Sequence, residues 1–400
     1  MDSVIVYPLP VLPLVDPVWL LAAVMLLFVI VPALFERCKI PGIVGLIVAG
    51  AVLGEEGLGV LSRTGVIELL GTGGMLFIMF LVGLELDLTG FRRNMKPSIT
   101  FGVLSYAVPQ IMGTITCLAL GTDIDYAILA GAIFGSHTVV AYPIASRLGI
   151  LKERAVTCAL GGTVITNIIT LTVLALVAGV VTDSGSGALL ELGIFYAFYI
   201  GIAVVVLPLL GRLVLTRATA TTGAAFVLAA LFAFAALGDY LGIHAVIGAM
   251  LAGLAFNTVV ADHPDIWAPL RATGDLIFVP FFMLSLGMLV EPAILAEPAM
   301  AVALFCIALL VVAAKYVAAL VTQRAFEFNG AEGLVMFGLS VAHAAATSAI
   351  AIVGRQIGVL DDRAVTAAVV IILVTGIGGA FVTDRAGKVL HARAMLRDVN

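Results

Sequence analysis

Long apolar segments joined by short polar connections run through the whole 400-residue sequence. They lack the strand-period alternation of a membrane β-barrel, and their number and length predict about 13 transmembrane helices of roughly 20 residues each. The segment that begins near Ile124 has an unusual centre, because GSHT occupies Gly135 to Thr138 and Pro143 follows. A helix inside a bilayer can be interrupted only where neighbouring protein or a water-filled cavity satisfies its backbone. We therefore expect a broken helix here, with a site inside the membrane.

A nine-residue motif occurs twice, as GILKERAVT in residues 149–157 and as GVLDDRAVT in residues 358–366, with six identical positions. The offset of 209 residues pairs Thr138 with Thr347. Each copy includes an apolar segment with a polar centre, and the two segments are seven predicted spans apart, so the copies face opposite sides of the membrane. This pattern predicts inverted repeats with two broken crossing helices, which are typical of secondary transporters.

Composition also indicates an all-α integral membrane protein, since 62% of the residues are apolar and only 11% are charged, against about 25% charged in soluble domains. Sixteen of the twenty Lys and Arg residues fall on one side of the predicted topology. The positive-inside rule makes this side cytoplasmic, with the N-terminus outside and residues 385–400 as a basic cytoplasmic tail. The expected location is a bacterial inner membrane. The sequence has no catalytic constellation, phosphate loop or metal motif, so we expect neither an enzyme nor a bound cofactor.

Two polar residues lie near the predicted membrane midplane. Lys315 precedes Arg324 by nine residues, which puts it roughly 13 Å inside its span. A lysine at this depth costs about 3 kcal/mol unless it meets a partner or a cavity. Two interpretations stay open: Lys315 is part of an ion site, or it caps the carbonyl ends of the broken helices. Asn167 is also central, and its amide either ligates a cation or forms an interhelical hydrogen bond, but it cannot titrate.

Further polar side chains lie in or near the breaks. His137 and, less strongly, His343 are candidate proton carriers near neutral pH, although a hydrogen-bonding role in the core fits both. The hydroxyls of Thr138, Thr347 and Ser348 are candidate cation ligands, unless they bond back to their own helices. Acidic residues near the predicted membrane surfaces form a candidate entrance for cations, and these are Asp123, Asp125 and Glu85.

Seven motifs together resemble one known family. In chain order they are PGIVGLIVAGAVLG, FLVGLELD, GSHTVVAYPIASRLGI, GGTVITN, GIHAVIGAMLAGL, FFMLSLGML and AAKYVAAL. Each is weak alone, but their order and spacing extend over nearly the whole chain and resemble the second branch of the monovalent cation:proton antiporter superfamily. This branch includes bacterial sodium/proton antiporters and the Kef-type potassium efflux systems.

The resemblance implies the cation:proton antiporter fold and a homodimer that works by elevator-type alternating access. It implies a mobile core of approximately residues 64–181 and 298–384, and a scaffold or dimer part of approximately residues 16–54 and 188–290. Relatives often carry a soluble regulatory domain after the last span.

The resemblance also implies that Thr166 and Asn167 form the ion site, with Lys315 beside them. The family's second residue of this pair is normally aspartate, which binds the proton and the cation alternately, whereas this chain has Asn167. Exchange by competition needs a group that changes protonation in the working range. We therefore expect exchange of Na+ or K+ for protons that Asn167 impairs or traps, either as an engineered replacement of aspartate or as a natural variant that uses His137 or Lys315 instead. The alternatives are an uncoupled cation channel or leak, and a transport-dead cation sensor.

Overall fold

The structure is a computed structural model that describes residues 12–37, 42–63, 65–85, 88–138, 141–181, 194–195, 197–241, 245–289 and 297–398. The helices in chain order are α1 (Pro17–Arg37), α2 (Gly42–Leu53), α3 (Val66–Leu84), α4 (Leu88–Arg93), α5 (Met95–Ala119), α6 (Ile124–Gly135), α7 (Tyr142–Arg147), α8 (Arg154–Val181), α9 (Ala197–Leu215), α10 (Ala220–Tyr240), α11 (Ala245–Ala261), α12 (Pro264–Gly287), α13 (Pro298–Ala325), α14 (Gly330–Val341), α15 (Ala345–Gln356) and α16 (Asp362–Asp398).

Nine helical segments in the described ranges are long and apolar enough to cross a membrane, and one of them is the interrupted pair α14 and α15. Four shorter apolar helices, α2, α3, α6 and α11, accompany them. Large apolar side chains such as Trp19, Leu26 and Val29 of α1 point outwards, as expected for a surface that contacts lipid. The predicted all-α membrane protein with about 13 spans is therefore confirmed.

Two spans are interrupted where the sequence predicts breaks. Residues 136–138 follow α6 without helical structure, and residues 342–344 separate α14 from α15. Ser136 and Ala342 each follow the last residue of a helix in extended conformation, with φ/ψ of −62°/157° and −71°/131°. The prediction of two broken helices is thus confirmed.

The helices pack in two groups. α5 packs against α6, α8 and α13, while α14 packs against α8 and α16, so these helices surround the breaks. α3 packs mainly against α11 and α12, and α12 also packs against α2. Asn257 on α11 donates from Nδ2 to the Leu84 carbonyl at 2.8 Å, at the end of α3. A Cβ atom at Gly253 would lie 2.0 Å from the Phe80 carbonyl oxygen, so the backbones of α3 and α11 are in direct contact.

The last helix, α16, has 37 residues and continues to Asp398. Ala386 and Leu390 are buried, and a Cβ atom at Gly387 would lie 2.8 Å from Leu148 Cδ1. The end of α16 therefore packs on the connection between α7 and α8. The described part of the predicted tail, residues 385–398, is a continuation of the helix.

Candidate ion site at the two helix breaks

The two breaks lie against each other. The backbone N–H of Thr138 donates to the Ala342 carbonyl at 2.9 Å, and the hydroxyl oxygens of Ser136 and Thr347 are 2.6 Å apart. All four residues are buried. Each break therefore supplies hydrogen-bond partners to the other, which is how a membrane protein can tolerate non-helical backbone at depth.

The amino group of Lys315 lies at the first break. Lys315 is fully buried on α13, and its Nζ donates to the carbonyl oxygens of Gly135 at 2.6 Å and Ser105 at 2.8 Å. Gly135 ends α6, so its carbonyl has no partner within the helix. The Ser105 carbonyl is available for a different reason, because Pro109, four residues later within α5, has no N–H to donate. Lys315 thus caps two carbonyls that helix geometry leaves unpaired.

Lys315 also reaches His137. Its Nζ lies 3.3 Å from Nδ1 of His137, and the other ring nitrogen, Nε2, lies 2.9 Å from Thr163 Oγ1. The Thr163 hydroxyl donates to the Ala159 carbonyl at 3.0 Å, so it accepts from Nε2, and Nδ1 carries the lone pair that accepts from Lys315. Lys315, His137 and Thr163 therefore form a continuous buried chain of proton donors and acceptors.

The second break has a histidine of its own. His343 Nδ1 lies 2.7 Å from the Val341 carbonyl oxygen, and Nε2 lies 3.2 Å from the Phe134 carbonyl oxygen. Both carbonyls only accept, so the neutral ring can donate to one of them and the imidazolium to both. Because Phe134 and Val341 lie at the C-terminal ends of α6 and α14, both carbonyl ends at the crossing are covered by donor side chains.

Two buried oxygens at the site have no hydrogen-bond partner. Asn167 on α8 is fully buried; its Nδ2 lies 3.9 Å from Met79 Sδ, while Oδ1 is unpaired. The hydroxyl of Thr138, in the first break, is unpaired as well. An unpaired buried oxygen costs about 1–3 kcal/mol, and a cation without its hydration shell is a partner that neutral oxygens can ligate.

The other predicted ligands already have protein partners. The Thr166 hydroxyl donates to the Gly102 carbonyl at 2.9 Å and joins α8 to α5, and Thr347 bonds to Ser136. Ser348 Oγ lies 3.9 Å from Met75 Sδ on α3. The structure therefore brings Thr138, Asn167, Thr166, His137, Lys315, Thr347 and Ser348 into one buried region and leaves unpaired oxygens on Thr138 and Asn167.

The acidic residues predicted at the entrance do not come together. Asp123 precedes α6 and Asp125 lies in its first turn, roughly 18 Å from the break. Glu85 follows the last residue of α3 and interacts with Arg271 and with Tyr142 of α7, the helix that follows the first break. Burial raises the pKa of the Glu85 carboxyl to about 7, and the hydrogen bond with Tyr142 and the Arg271 charge oppose this shift.

Sequence reasoning missed Ser105, Pro109, Thr163 and Met79. A proline inside an apolar span is a signal that the carbonyl four residues earlier needs a donor, so Pro109 points to Ser105. Thr163 lies four residues before Asn167 and hence on the same helix face. Met79 carried no comparable signal, because an apolar side chain in an apolar span is indistinguishable from its neighbours.

A family profile described as sodium/hydrogen exchanger, transmembrane, matches residues 23–385. Na(+)/H(+) antiporter NhaS5 of Synechocystis sp. is 35% identical to this chain over 396 residues, which cover 94% of this chain and 55% of the relative. Probable Na(+)/H(+) antiporter 3 of Methanocaldococcus jannaschii is 27% identical, over 86% of this chain and 90% of the relative. The chain thus spans about half the length of the Synechocystis relative.

A solved structure of the sodium proton antiporter MjNhaP1 from Methanocaldococcus jannaschii at pH 8 matches with a TM-score of 0.74. The match covers 94% of this chain and 97% of that chain at 16% sequence identity. At this identity the likeness shows a common fold.

Proposed function

The chain belongs to the sodium/hydrogen exchanger family, and from this premise we propose that it is a secondary transporter that exchanges a monovalent cation, Na+ or K+, for protons. One observation carries the proposal: the unpaired oxygens of Asn167 and Thr138 lie in the same buried region as the hydrogen-bonded chain of Lys315, His137 and Thr163. The two oxygens supply ligands for a cation, and the hydrogen-bonded side chains of Lys315 and His137 supply groups that hold a proton.

Asn167 cannot bind a proton and a cation alternately, so the proton is held elsewhere, on the Lys315–His137 pair. Thr163, which contacts His137, is four residues from Asn167 on α8, about 6 Å along the helix. Two unit charges at that separation repel by about 3 kcal/mol at an effective dielectric constant of 20, which corresponds to about 100-fold in affinity. A proton on the pair therefore weakens cation binding at Asn167, and the cation weakens proton binding in return.

This exclusion is weaker than competition for one carboxylate, in which the two ions cannot be bound at the same time. We therefore expect looser coupling between cation and proton than an aspartate at position 167 would give. Asn167 acts in this view as the neutral form of the missing carboxyl group, so it impairs exchange or holds the transporter in one state.

Alternating access requires one part of the protein to move against the other. In the proposal, α5 to α8 and α13 to α16 form the mobile core, and α1, α2 and α9 to α12 form the scaffold that pairs in a homodimer. We assign α3 to the scaffold, unlike the division expected from sequence, because it packs mainly against α11 and α12. The core moves by an elevator-type displacement in the bacterial inner membrane, with the N-terminus outside and the C-terminus in the cytoplasm.

The test is ion flux in proteoliposomes that hold the native chain, Asn167→Asp or Lys315→Gln, with an imposed pH gradient and either Na+ or K+. The native chain is expected to give weak pH-driven flux, and Asn167→Asp is expected to increase it because a titratable ligand restores direct competition. Lys315→Gln should lose the pH dependence. Equal flux from the native chain and Asn167→Asp would contradict the role given to Asn167, and no flux from either would defeat the exchange proposal.

An uncoupled cation leak is the second candidate, because the buried polar residues in the described ranges include no Asp or Glu. In a leak, current follows the cation gradient without proton movement, and the reversal potential is independent of the pH gradient. A transport-dead sensor would instead bind a cation in calorimetry and give no flux with any of the three proteins.

A further inference from the structure

A threonine one turn beyond Asn167 is a polar group that the mechanism above does not use. Thr170 lies three residues after Asn167 on α8, on the same helix face and about 4.5 Å further along the axis. Its side chain is fully buried, and its hydroxyl oxygen has no hydrogen-bond partner.

Several threonines in the helices of this chain satisfy their hydroxyl in the usual way, by donating to the carbonyl four residues earlier. The donors are Thr163, Thr172, Thr322 and Thr375, at 3.0, 2.7, 3.0 and 2.6 Å. Thr170 departs from this pattern although Thr163 and Thr172 lie on the same helix. Its hydroxyl therefore forgoes an available partner in its own backbone.

Two unpaired oxygens, Asn167 Oδ1 and Thr170 Oγ1, are thus neighbours on one buried face of α8. Valine would fill the volume of Thr170 without a polar atom to satisfy, so packing alone does not call for threonine. Buried polar groups are nearly always paired, and a partner from outside the protein accounts for both oxygens at once. We propose that Thr170 Oγ1 is a ligand of the transported monovalent cation, beside Asn167 Oδ1, and helps to set which cation is preferred. This inference rests on the proposed function.

The position of Thr170 suits this role. It lies beyond Asn167 in the direction away from Thr163, and therefore away from the Lys315–His137 pair that holds the proton. A ligand on that side lets the cation bind further from a positive charge. Because the hydroxyl is neutral, its contribution depends on ion size and on the number of oxygens in reach, which are the terms that separate Na+ from K+.

The experiment compares Thr170→Val and Thr170→Ser in the full chain with Thr172→Val as the matched control. Thr172 is two residues away, is half-buried, and bonds to its own helix. Cation-induced thermal stabilisation in detergent and the apparent KM for Na+ and K+ in proteoliposomes are measured for each protein. Thr170→Val should raise the KM of the preferred cation about tenfold, as expected for one lost ligand, and change the ratio of the Na+ and K+ values. Thr170→Ser and Thr172→Val should keep the native values.

A second readout separates a ligand from a packing role. Without cation, Thr170→Val should melt at or above the native temperature, because an unpaired hydroxyl has been removed, and it should gain less stabilisation when cation is added. If Thr170→Val does not fold, Thr170→Ala is measured in the same way. Native cation affinity and Na+ to K+ ratio in these variants would overturn the assignment of Thr170. Absence of both flux and cation-induced stabilisation in the native chain would instead count against the proposed function.

Discussion

Replacing Lys315 with Met keeps a long side chain on α13 but removes the donor to the Gly135 and Ser105 carbonyls. A buried acceptor that loses its donor costs about 1–3 kcal/mol, so two of them are expected to lower the free energy of unfolding by about 2–6 kcal/mol. Methionine also relieves the cost of burying an amino group, which reduces this loss. A single variant therefore gives only a net value, and a double-mutant cycle is needed to isolate the carbonyl contribution.

Pro109→Ala provides the second half of the cycle. Alanine restores a backbone N–H that can bond to the Ser105 carbonyl within α5, so this carbonyl no longer depends on Lys315. In the Pro109→Ala background, Lys315→Met still removes the donor to the Gly135 carbonyl and to His137 Nδ1, but it no longer leaves the Ser105 carbonyl unpaired. Its cost should fall by about 1–3 kcal/mol relative to the native background, and the relief from burying the amino group cancels because it is common to both backgrounds.

The measurement is equilibrium unfolding of the four proteins in mixed detergent micelles. Pro32→Ala on α1 is the matched control, because Pro32 is also inside a membrane helix but has no part in the site, and its effect should add to that of Lys315→Met. Additivity of Pro109→Ala and Lys315→Met within about 0.5 kcal/mol would refute the reasoning that Lys315 compensates for the proline.

Three further predictions address charge, packing and the proton carrier. Glu85 has a folded-state pKa of about 7 against an ordinary value of 4.5, so its stabilising contribution is complete below about pH 4.5 and is lost as the pH rises through about 7. Above pH 7, Glu85→Gln should therefore increase the free energy of unfolding by up to about 3 kcal/mol and raise the melting temperature relative to the native chain. Equal melting temperatures at pH 8 would contradict this. Gly253→Val should lower the melting temperature strongly, because its Cβ would meet the Phe80 carbonyl at 2.0 Å, whereas Gly179→Val, in open space, should not. His137→Gln should reduce the pH dependence of flux while cation-induced thermal stabilisation is retained, and an unchanged pH profile would exclude His137 as part of the proton carrier.

Much of the architecture could be predicted from the sequence because the bilayer imposes strong constraints. Long apolar segments in lipid have to be helical, and GSHT at Gly135 to Thr138 is costly there unless the helix is broken. The repeated motif then predicts a second break and its opposite orientation. Both features follow from local composition and from the order of segments along the chain, which the sequence contains directly.

Contacts between distant segments could not be predicted in the same way. The sequence leaves two roles open for Lys315, in the ion site or as a cap on the broken helices, but it does not identify the partners Ser105, Gly135 and His137, which lie about 180 to 210 residues away along the chain. Charge alone groups Glu85 with Asp123 as an entrance, although the two residues belong to different parts of the fold. Apolar spans carry little information about which neighbour each face meets, so helix partners had to come from the structure.

The hydrogen bonds between the breaks have a consequence for how the two sides of the membrane are distinguished. Since Thr138 is bonded to Ala342 and Ser136 to Thr347, separating the two breaks from each other would sacrifice both bonds. A carrier that keeps them delivers an unchanged set of oxygens to either compartment. Its intrinsic dissociation constant for the cation is then the same from inside and outside.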